Sequence, residues 1–372
     1  MVWLFGLDQL ATELVEKKVA TAVVVAAAVR TGGAWRTAIG AAGRLSDAAD
    51  DRAARADTWF DLASLTKPVT ALAAARVARR GTIAWGAELG VLLPELASAT
   101  ASSATLEQLL SHRAGLEAHR RFYRHMMDGR TVDRRESLFE AASSRRAPPP
   151  SGSEFEPLYS DLGYLLAGEA IARVARLPLD AVLNDEVIAP LRLAMGSARQ
   201  IRACDASFDR DVAATECAAW RGGTVRGFVH DENAWFWSGE GASGHAGLFG
   251  TATAVLTLGE AVVDCLHDRL PQFLTRDEMW PLVKPRPGGT LRAGFDGKSE
   301  QGSSAGTRFG PSTVGHLGFT GTSFWCDVDR EMVGVLLTNR VHPSRDNDAI
   351  RAVRPFAYDR IAAWAERERG TK

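Results

Sequence analysis

The chain has little of what would announce its chemistry. Four cysteines in 372 residues (Cys204, Cys217, Cys265 and Cys326) are too few and too scattered for a disulfide framework or a C-x-x-C metal site. The eight histidines include no H-E-x-x-H and no clustered ligand set, so no metal and no other cofactor is expected. Neither sign of charge dominates. The 44 Lys+Arg against 45 Asp+Glu leave a net charge of −1, which excludes the basic footprint of a nucleic-acid binder. Long apolar runs are missing too. Val19 to Val29 spans eleven residues, whereas crossing a bilayer takes about 20. Lys17 and Lys18 precede that run, as in a signal peptide, but Asp8, Glu13 and Glu16 stand upstream, where such a leader is basic. The run ends at Arg30-Thr31-Gly32-Gly33 before a second strand-like stretch, Ala34 to Ile39, and reads as a β-hairpin around a Gly turn. The expectation is a cytoplasmic protein with no membrane and no nucleic acid among its partners.

What is there is a chain long enough for one large domain or two closely packed ones, with 46% hydrophobic and 24% charged residues. Residues 3–18 have helical spacing and the hairpin follows at about 20–44. Leu65 to Arg80 is Ala-rich and helical, with Gly81 where a C-terminal cap belongs. Short helical pieces, including Leu106 to His112, fill 82–118. The Arg-rich stretch 119–146 reads as a solvated face without function, and Pro148-Pro149-Pro150-Ser151-Gly152 as a loop. Helices are expected at about 161–176, Thr253 to Leu266 and 347–367, with an irregular Gly- and Trp-rich region over 200–250. Residues 285–313 read as a long surface loop, and two strand-like runs close the chain at about 315–326 and 331–338. Strands at both ends and helices between them predict an α/β (α+β) fold. The terminal strands pair in one antiparallel sheet flanked by helices, residues 1–68 and 254–372, and 69–253 form an inserted, mostly helical domain, with the active site at the interface.

The chemistry begins at Ser64-Leu65-Thr66-Lys67, which opens a helix. Residues at i and i+3 share a helical face, so the Lys67 amine can approach the Ser64 hydroxyl. A serine is a poor nucleophile until a base takes its proton. A lysine can serve if its pKa is depressed toward neutrality. The helix N-terminus stabilises negative charge and offers free N–H groups as oxyanion donors. Pro68 is tolerable only near a helix start. An isolated S-x-x-K is usually an exposed Lys on a helix, so the surroundings decide.

Those surroundings resemble the serine β-lactamase and penicillin-binding-protein family, in its branch of class C β-lactamases, D-alanyl carboxypeptidases and esterases. Phe60-Asp61-Leu62-Ala63-Ser64-Leu65-Thr66-Lys67-Pro68 is similar to the family's nucleophile segment. Thr105 to His112, with Gly115-Leu116, is similar to its "LLSHtSGL" segment, with Arg113 and Ala114 departing from it. Pro150-Ser151-Gly152 followed by Tyr159-Ser160-Asp161-Leu162-Gly163-Tyr164 resembles the second catalytic motif, and His316-Leu317-Gly318 the third, K-T-G or H-T-G. The resemblance runs from about 20 to 365 and implies a β-lactamase/transpeptidase-like fold and a serine hydrolase.

The resemblance assigns roles residue by residue. Tyr159 exchanges protons with Ser64 and the leaving group, the alternative being a packed Tyr. Asp161 stands where the family commonly has Asn. It either hydrogen-bonds Lys67, adding negative charge and raising the Lys pKa, or only caps the following helix. His316 replaces the Lys of K-T-G, and only His⁺ could hold a substrate carboxylate. Gly318 lets a substrate approach the strand edge, and the Phe319 N–H joins that of Ser64 as oxyanion donor. His245 shapes a tight loop or borders the pocket, and Trp235-Phe236-Trp237 packs first and walls a pocket second.

Two other signals are set aside. Gly302-Ser303-Ser304-Ala305-Gly306 matches G-x-S-x-G but has no apolar strand before it. Gly239 to Gly244 matches G-x-G-x-x-G without a βαβ unit. The expected activity is acyl-enzyme hydrolysis at Ser64 of small esters, β-lactams or D-alanyl amides, with esters favoured by Asp161 and His316. The alternative is a catalytically silent penicillin-recognising binding or sensor protein on the same fold. The partner is a small-molecule substrate, and the chain is expected to be a monomer or weak homo-oligomer.

Overall fold

The hairpin at the start of the chain anchors the architecture. In the computed structural model, which describes residues 6–129, 133–146 and 154–370, β1 (Ala22–Thr31) pairs antiparallel with β2 (Ala34–Gly43), from Ala22↔Gly43 to Thr31↔Ala34. Gly32 and Gly33 take φ of 59° and 84°, the two positive values that a tight hairpin turn requires. The loop expected at Pro148-Pro149-Pro150-Ser151-Gly152 lies outside the described residues.

Four strands from the end of the chain complete the same sheet: β3 (Asp296–Gly297), β4 (Val314–Leu317), β5 (Ser323–Asp327) and β6 (Met332–Thr338). The order is β2-β1-β6-β5-β4-β3, antiparallel throughout. The run expected as one strand over 315–326 is two strands. Gly318–Thr322 turns the chain between them, and Gly321 at φ 103° supplies a conformation that other residues rarely adopt.

Five helices bear on the sheet and the site: α1 (Leu7–Glu16), α2 (Thr66–Arg79), α3 (Asp161–Ala175), α4 (Ala252–Leu266) and α5 (Ile350–Gly370). They explain why β1 is apolar from Ala22 to Val29. Val23, Val25, Ala27 and Val29 point to one face and pack with Leu10, Leu14, Tyr358 and Ile361 of α1 and α5. Val24, Ala26 and Ala28 point to the other and join the core that holds Val255 and Val262 of α4. Alternate side chains leave a strand on opposite faces, so a strand covered on both sides reads as an unbroken apolar run. Each fully buried Val is worth roughly 1.5–3 kcal/mol. Among the described residues no helix is long and apolar enough to cross a membrane.

The stretch 285–313, expected as a long surface loop, carries β3 and is otherwise irregular chain bound into the core. Phe295 meets Phe324 edge-on at 6.4 Å and Phe309 meets Tyr358 at 5.7 Å, and all four rings are buried. A second, small sheet pairs Phe60–Asp61 and Met195–Ser197 with Leu248–Gly250. It pins the turn before α2 to the chain that follows His245.

Candidate active site

The turn that enters α2 is strained and held. Ala63 sits at φ 47°, which is unusual for a residue with a Cβ. The Asp61 carboxylate accepts from the Ala63 N–H at 2.8 Å and from the His230 N–H at 2.7 Å. A 3₁₀ turn over Ala63–Leu65 leads into α2 at Thr66, so the helix proper starts two residues after Ser64. Pro68 lies in its first turn, where no intrahelical N–H is missed.

Lys67 lies one turn beyond Ser64 with no exposed surface. Its Nζ donates to Ser64 Oγ at 2.9 Å, to Asp161 Oδ1 at 2.7 Å and to the His245 carbonyl at 3.2 Å. The rings of Tyr159 and Tyr164 lie 4.8 and 5.5 Å from it. Burial alone pushes the amine's pKa down, but the Asp161 carboxylate and Tyr159 outweigh it, and the net displacement is upward. The depressed pKa expected of a lysine base is therefore absent. Lys67 is held as an ammonium, paired with an Asp161 carboxylate whose pKa is lowered by that same charge against burial.

Asp161 opens α3, but Ser160 caps it. The Ser160 hydroxyl accepts from the Gly163 N–H at 3.2 Å and donates to the Glu117 carbonyl at 2.6 Å. The Asp161 side chain thus faces Lys67 and does not serve as the cap. Tyr159, just before, is set by His112. The two rings stack at 4.6 Å, and His112 Nδ1 accepts the Ser160 N–H at 3.0 Å. The backbone of His112, at φ 62°, accepts from Leu158. Tyr159 is within hydrogen-bonding reach of both Lys67 and Ser64, and burial raises its pKa despite the nearby ammonium, so the resting phenol is neutral.

The opposite wall is the end of β4. His316 donates from Nδ1 to the Leu317 carbonyl at 2.8 Å. Burial and the Lys67 charge push its pKa down to about 3. A neutral ring with Nδ1–H leaves Nε2 as an acceptor. His316 therefore does not supply the cation that would hold a carboxylate. The turn after it is clamped to the nucleophile turn: Thr320 Oγ1 donates to the Asp61 carbonyl at 2.7 Å and Thr322 Oγ1 to the Leu62 carbonyl at 3.0 Å. A Cβ on Gly318 would lie 2.0 Å from Thr322 Oγ1 and 2.7 Å from the Leu62 oxygen. Gly318→Ala is accordingly expected to push the two turns apart, lowering kcat by about 10²–10³ with a smaller change in KM, the signature of a lost oxyanion donor. Steady-state kinetics and a thermal melt check this; unchanged kcat in a folded protein would remove the turn from the mechanism.

Ser64, Tyr159, Asp161, His316, Gly318 and Phe319 line one cavity of about 600 Å³, with Lys67 beneath its floor. Phe319 is half exposed, stacked on His230 at 5.7 Å and under Arg340 at 4.5 Å. His245 is buried, its ring between Asp231 (3.0 Å) and Ser243 (2.9 Å) and its carbonyl on Lys67. Trp235 packs under Arg221 at 4.2 Å, and Phe236 lies in the core. Sequence reasoning missed His119 and Arg121, which line the cavity from the stretch read as a functionless solvated face, and Arg340 and Arg351 on the far wall. Their only sequence signal was an excess of arginine. Ser304 sits among turns with neither strand nor helix beside it, and Gly239–Gly244 follows the helix Glu232–Ser238 where a dinucleotide fingerprint needs a strand.

The family model described as Beta-lactamase matches residues 7–357. An N-acetylmuramyl-L-alanine amidase of Bacillus subtilis (strain 168) is 27% identical over 307 residues, covering 77% of this chain and 68% of that one. A putative D-alanyl-D-alanine carboxypeptidase of Escherichia coli (strain K12) is 25% identical over 306 residues, covering 77% and 70%. Among solved structures, EstCE1, a hydrolase with promiscuous acyltransferase activity, superposes with a TM-score of 0.69 at 21% identity over 94% of this chain and 96% of that one, a likeness of fold.

Proposed function

The chain belongs to the beta-lactamase family, and from that premise we propose that it is a serine hydrolase working through an acyl-enzyme at Ser64. The observation that carries the reading is the buried Lys67 Nζ, 2.9 Å from Ser64 Oγ with Asp161 and Tyr159 around it. Ser64 attacks a carbonyl carbon as its proton leaves through this cluster. The N–H groups of Ser64 and Phe319 stabilise the developing oxyanion. Tyr159 hands a proton to the leaving group, and water then releases the acyl group. In this reading the cavity lies between a sheet domain of 1–68 and 254–372 and an inserted helical domain of 69–253.

A short, uncharged ester is the preferred substrate. Neutral His316 offers no fixed cation, and Asp161 adds a carboxylate beside the nucleophile. One observation favours a second reading, cleavage of a D-alanyl peptide with a free carboxylate. Arg340 and Arg351 line the cavity, and among the described residues neither pairs with a carboxylate. Side-by-side rates with p-nitrophenyl butyrate, nitrocefin and a D-Ala-D-Ala peptide separate the readings. The ester is expected to turn over fastest. A faster peptide would select the second reading, and no turnover with no covalent label on Ser64 would select the silent binding protein.

A further inference from the structure

A protonated amine has no lone pair, so Lys67, held as an ammonium, takes the Ser64 proton only by releasing one of its own. Its acceptors are Ser64 Oγ, the His245 carbonyl and Asp161 Oδ1. Of the last two only the carboxylate is a Brønsted base. On the far side of that carboxylate stands His119, its Nδ1 3.8 Å from Asp161 Oδ2 and its side chain 39% exposed to solvent. The placement is built. The Asp161 N–H donates to the Ala118 carbonyl at 2.9 Å, the Ser160 hydroxyl ties down Glu117, and Asn233 Nδ2 holds the Arg120 carbonyl at 2.5 Å beside the imidazole.

We propose that Asp161 is the terminal acceptor of the Ser64 proton and that His119 gates it by its own charge. This rests on the acyl-enzyme reading above. As the Ser64 Oγ–carbon bond forms, the Oγ–H bond breaks and the carbonyl π pair moves to oxygen. Lys67 gains that proton and passes another to Asp161 Oδ1. The amine ends as the ammonium it began as, and the carboxylate ends as the acid. When the leaving group departs it takes the phenol proton of Tyr159, and the proton held on Asp161 returns through Lys67 to restore that phenol. A cationic His119 stabilises the Asp161 carboxylate and makes it a poorer acceptor, whereas a neutral imidazole does not. His119 is a positioning residue in this scheme.

The other charged or titratable groups facing His119 are Asp231 and Glu232 at the start of the helix Glu232–Ser238, with Lys67 and His245 beyond Asp161. Arg120, next to it in the chain, is turned to Glu117 and Glu140. The Asp161 carboxylate raises the His119 pKa above its ordinary 6.5 against burial, with Asp231 and Glu232 adding to the rise. Acylation should therefore strengthen as pH rises through a value above 6.5.

The test is kcat/KM for p-nitrophenyl acetate against pH in the wild type and in His119→Gln, together with the His119 imidazole titration by NMR in the wild type and in Asp161→Asn. The wild type is expected to gain about tenfold in kcat/KM from pH 6 to pH 8, and His119→Gln less than about threefold. The His119 titration is expected to move down by about half a unit or more in Asp161→Asn. An active His119→Gln enzyme with the wild-type pH limb would overturn the gate, as would an unmoved titration. If the wild type forms no acyl adduct at all, the hydrolase reading fails, and the NMR titration alone then decides the His119–Asp161 coupling.

Discussion

Ser64→Ala is expected to lower kcat for p-nitrophenyl esters by about 10⁴–10⁶ while leaving the fold and the KM scale in place. The hydroxyl is half-buried at the floor of the cavity, and alanine keeps the 3₁₀ turn, the Asp61 bonds to Ala63 and His230 and the two Thr clamps, none of which involves Oγ. The variant thus isolates the nucleophile. Whatever rate survives reports the oxyanion donors and binding alone, which elsewhere retain roughly 10³–10⁴ over water. Intact-mass spectrometry after a phosphonate ester gives the direct complement: one adduct on the wild type, none on Ser64→Ala. An adduct or full activity in the variant would move the nucleophile elsewhere. Ser304 is a poor second choice, since it lacks the strand–turn–helix that would present it.

Where local rules decide the structure, the residues spelled it out. The Gly32-Gly33 hairpin, the helix behind Ser64 and the pairing of terminal strands follow from turn chemistry and periodicity. The motif residues at 64, 67, 159, 161, 316, 318 and 319 also meet around one cavity. Of the two readings open at Asp161, the bond to Lys67 is the one found: the carboxylate, 94 residues away, arrives at 2.7 Å and reverses the direction that burial alone would set. What was illegible depends on distant partners. His119 is one of two histidines in an Arg-rich stretch, and only the docking of Glu117 and Ala118 onto the start of α3 brings it to Asp161. The polar stretch 285–313 hides two phenylalanines that reach core rings. His316 resembles a cation by sequence position and is neutral by burial.

Lys67→Met is expected to cost about 2–4 kcal/mol of stability as well as nearly all activity, because it leaves the Asp161 carboxylate without its partner. Lys67 is fully buried and the Asp161 side chain is 23% exposed, so the penalty falls below that of a wholly buried pair. The double variant Lys67→Met/Asp161→Asn removes both charges and should recover about 1–3 kcal/mol of that loss in a denaturant-based double-mutant cycle. The pH dependence makes the assignment sharper. Asp161 is depressed below its ordinary 3.8, so its contribution is present above that value and is lost only in stronger acid. Lys67 is raised above its ordinary 10.5, so its contribution is complete below that value and is lost only in stronger alkali. Between the two the pair is a constant, so the loss in Lys67→Met should be flat from about pH 7 to 9 and shrink below 6.5, where removing the Lys67 charge relieves the depression of His112 and His316. Any decline of wild-type stability between pH 6.5 and 4 must come from groups such as His112 and His316, whose depressed pKa makes the unfolded chain bind the extra protons. A Lys67→Met penalty that varies strongly across neutral pH, or a double variant no more stable than the single, would mean that the two side chains are not an ion pair in the resting enzyme.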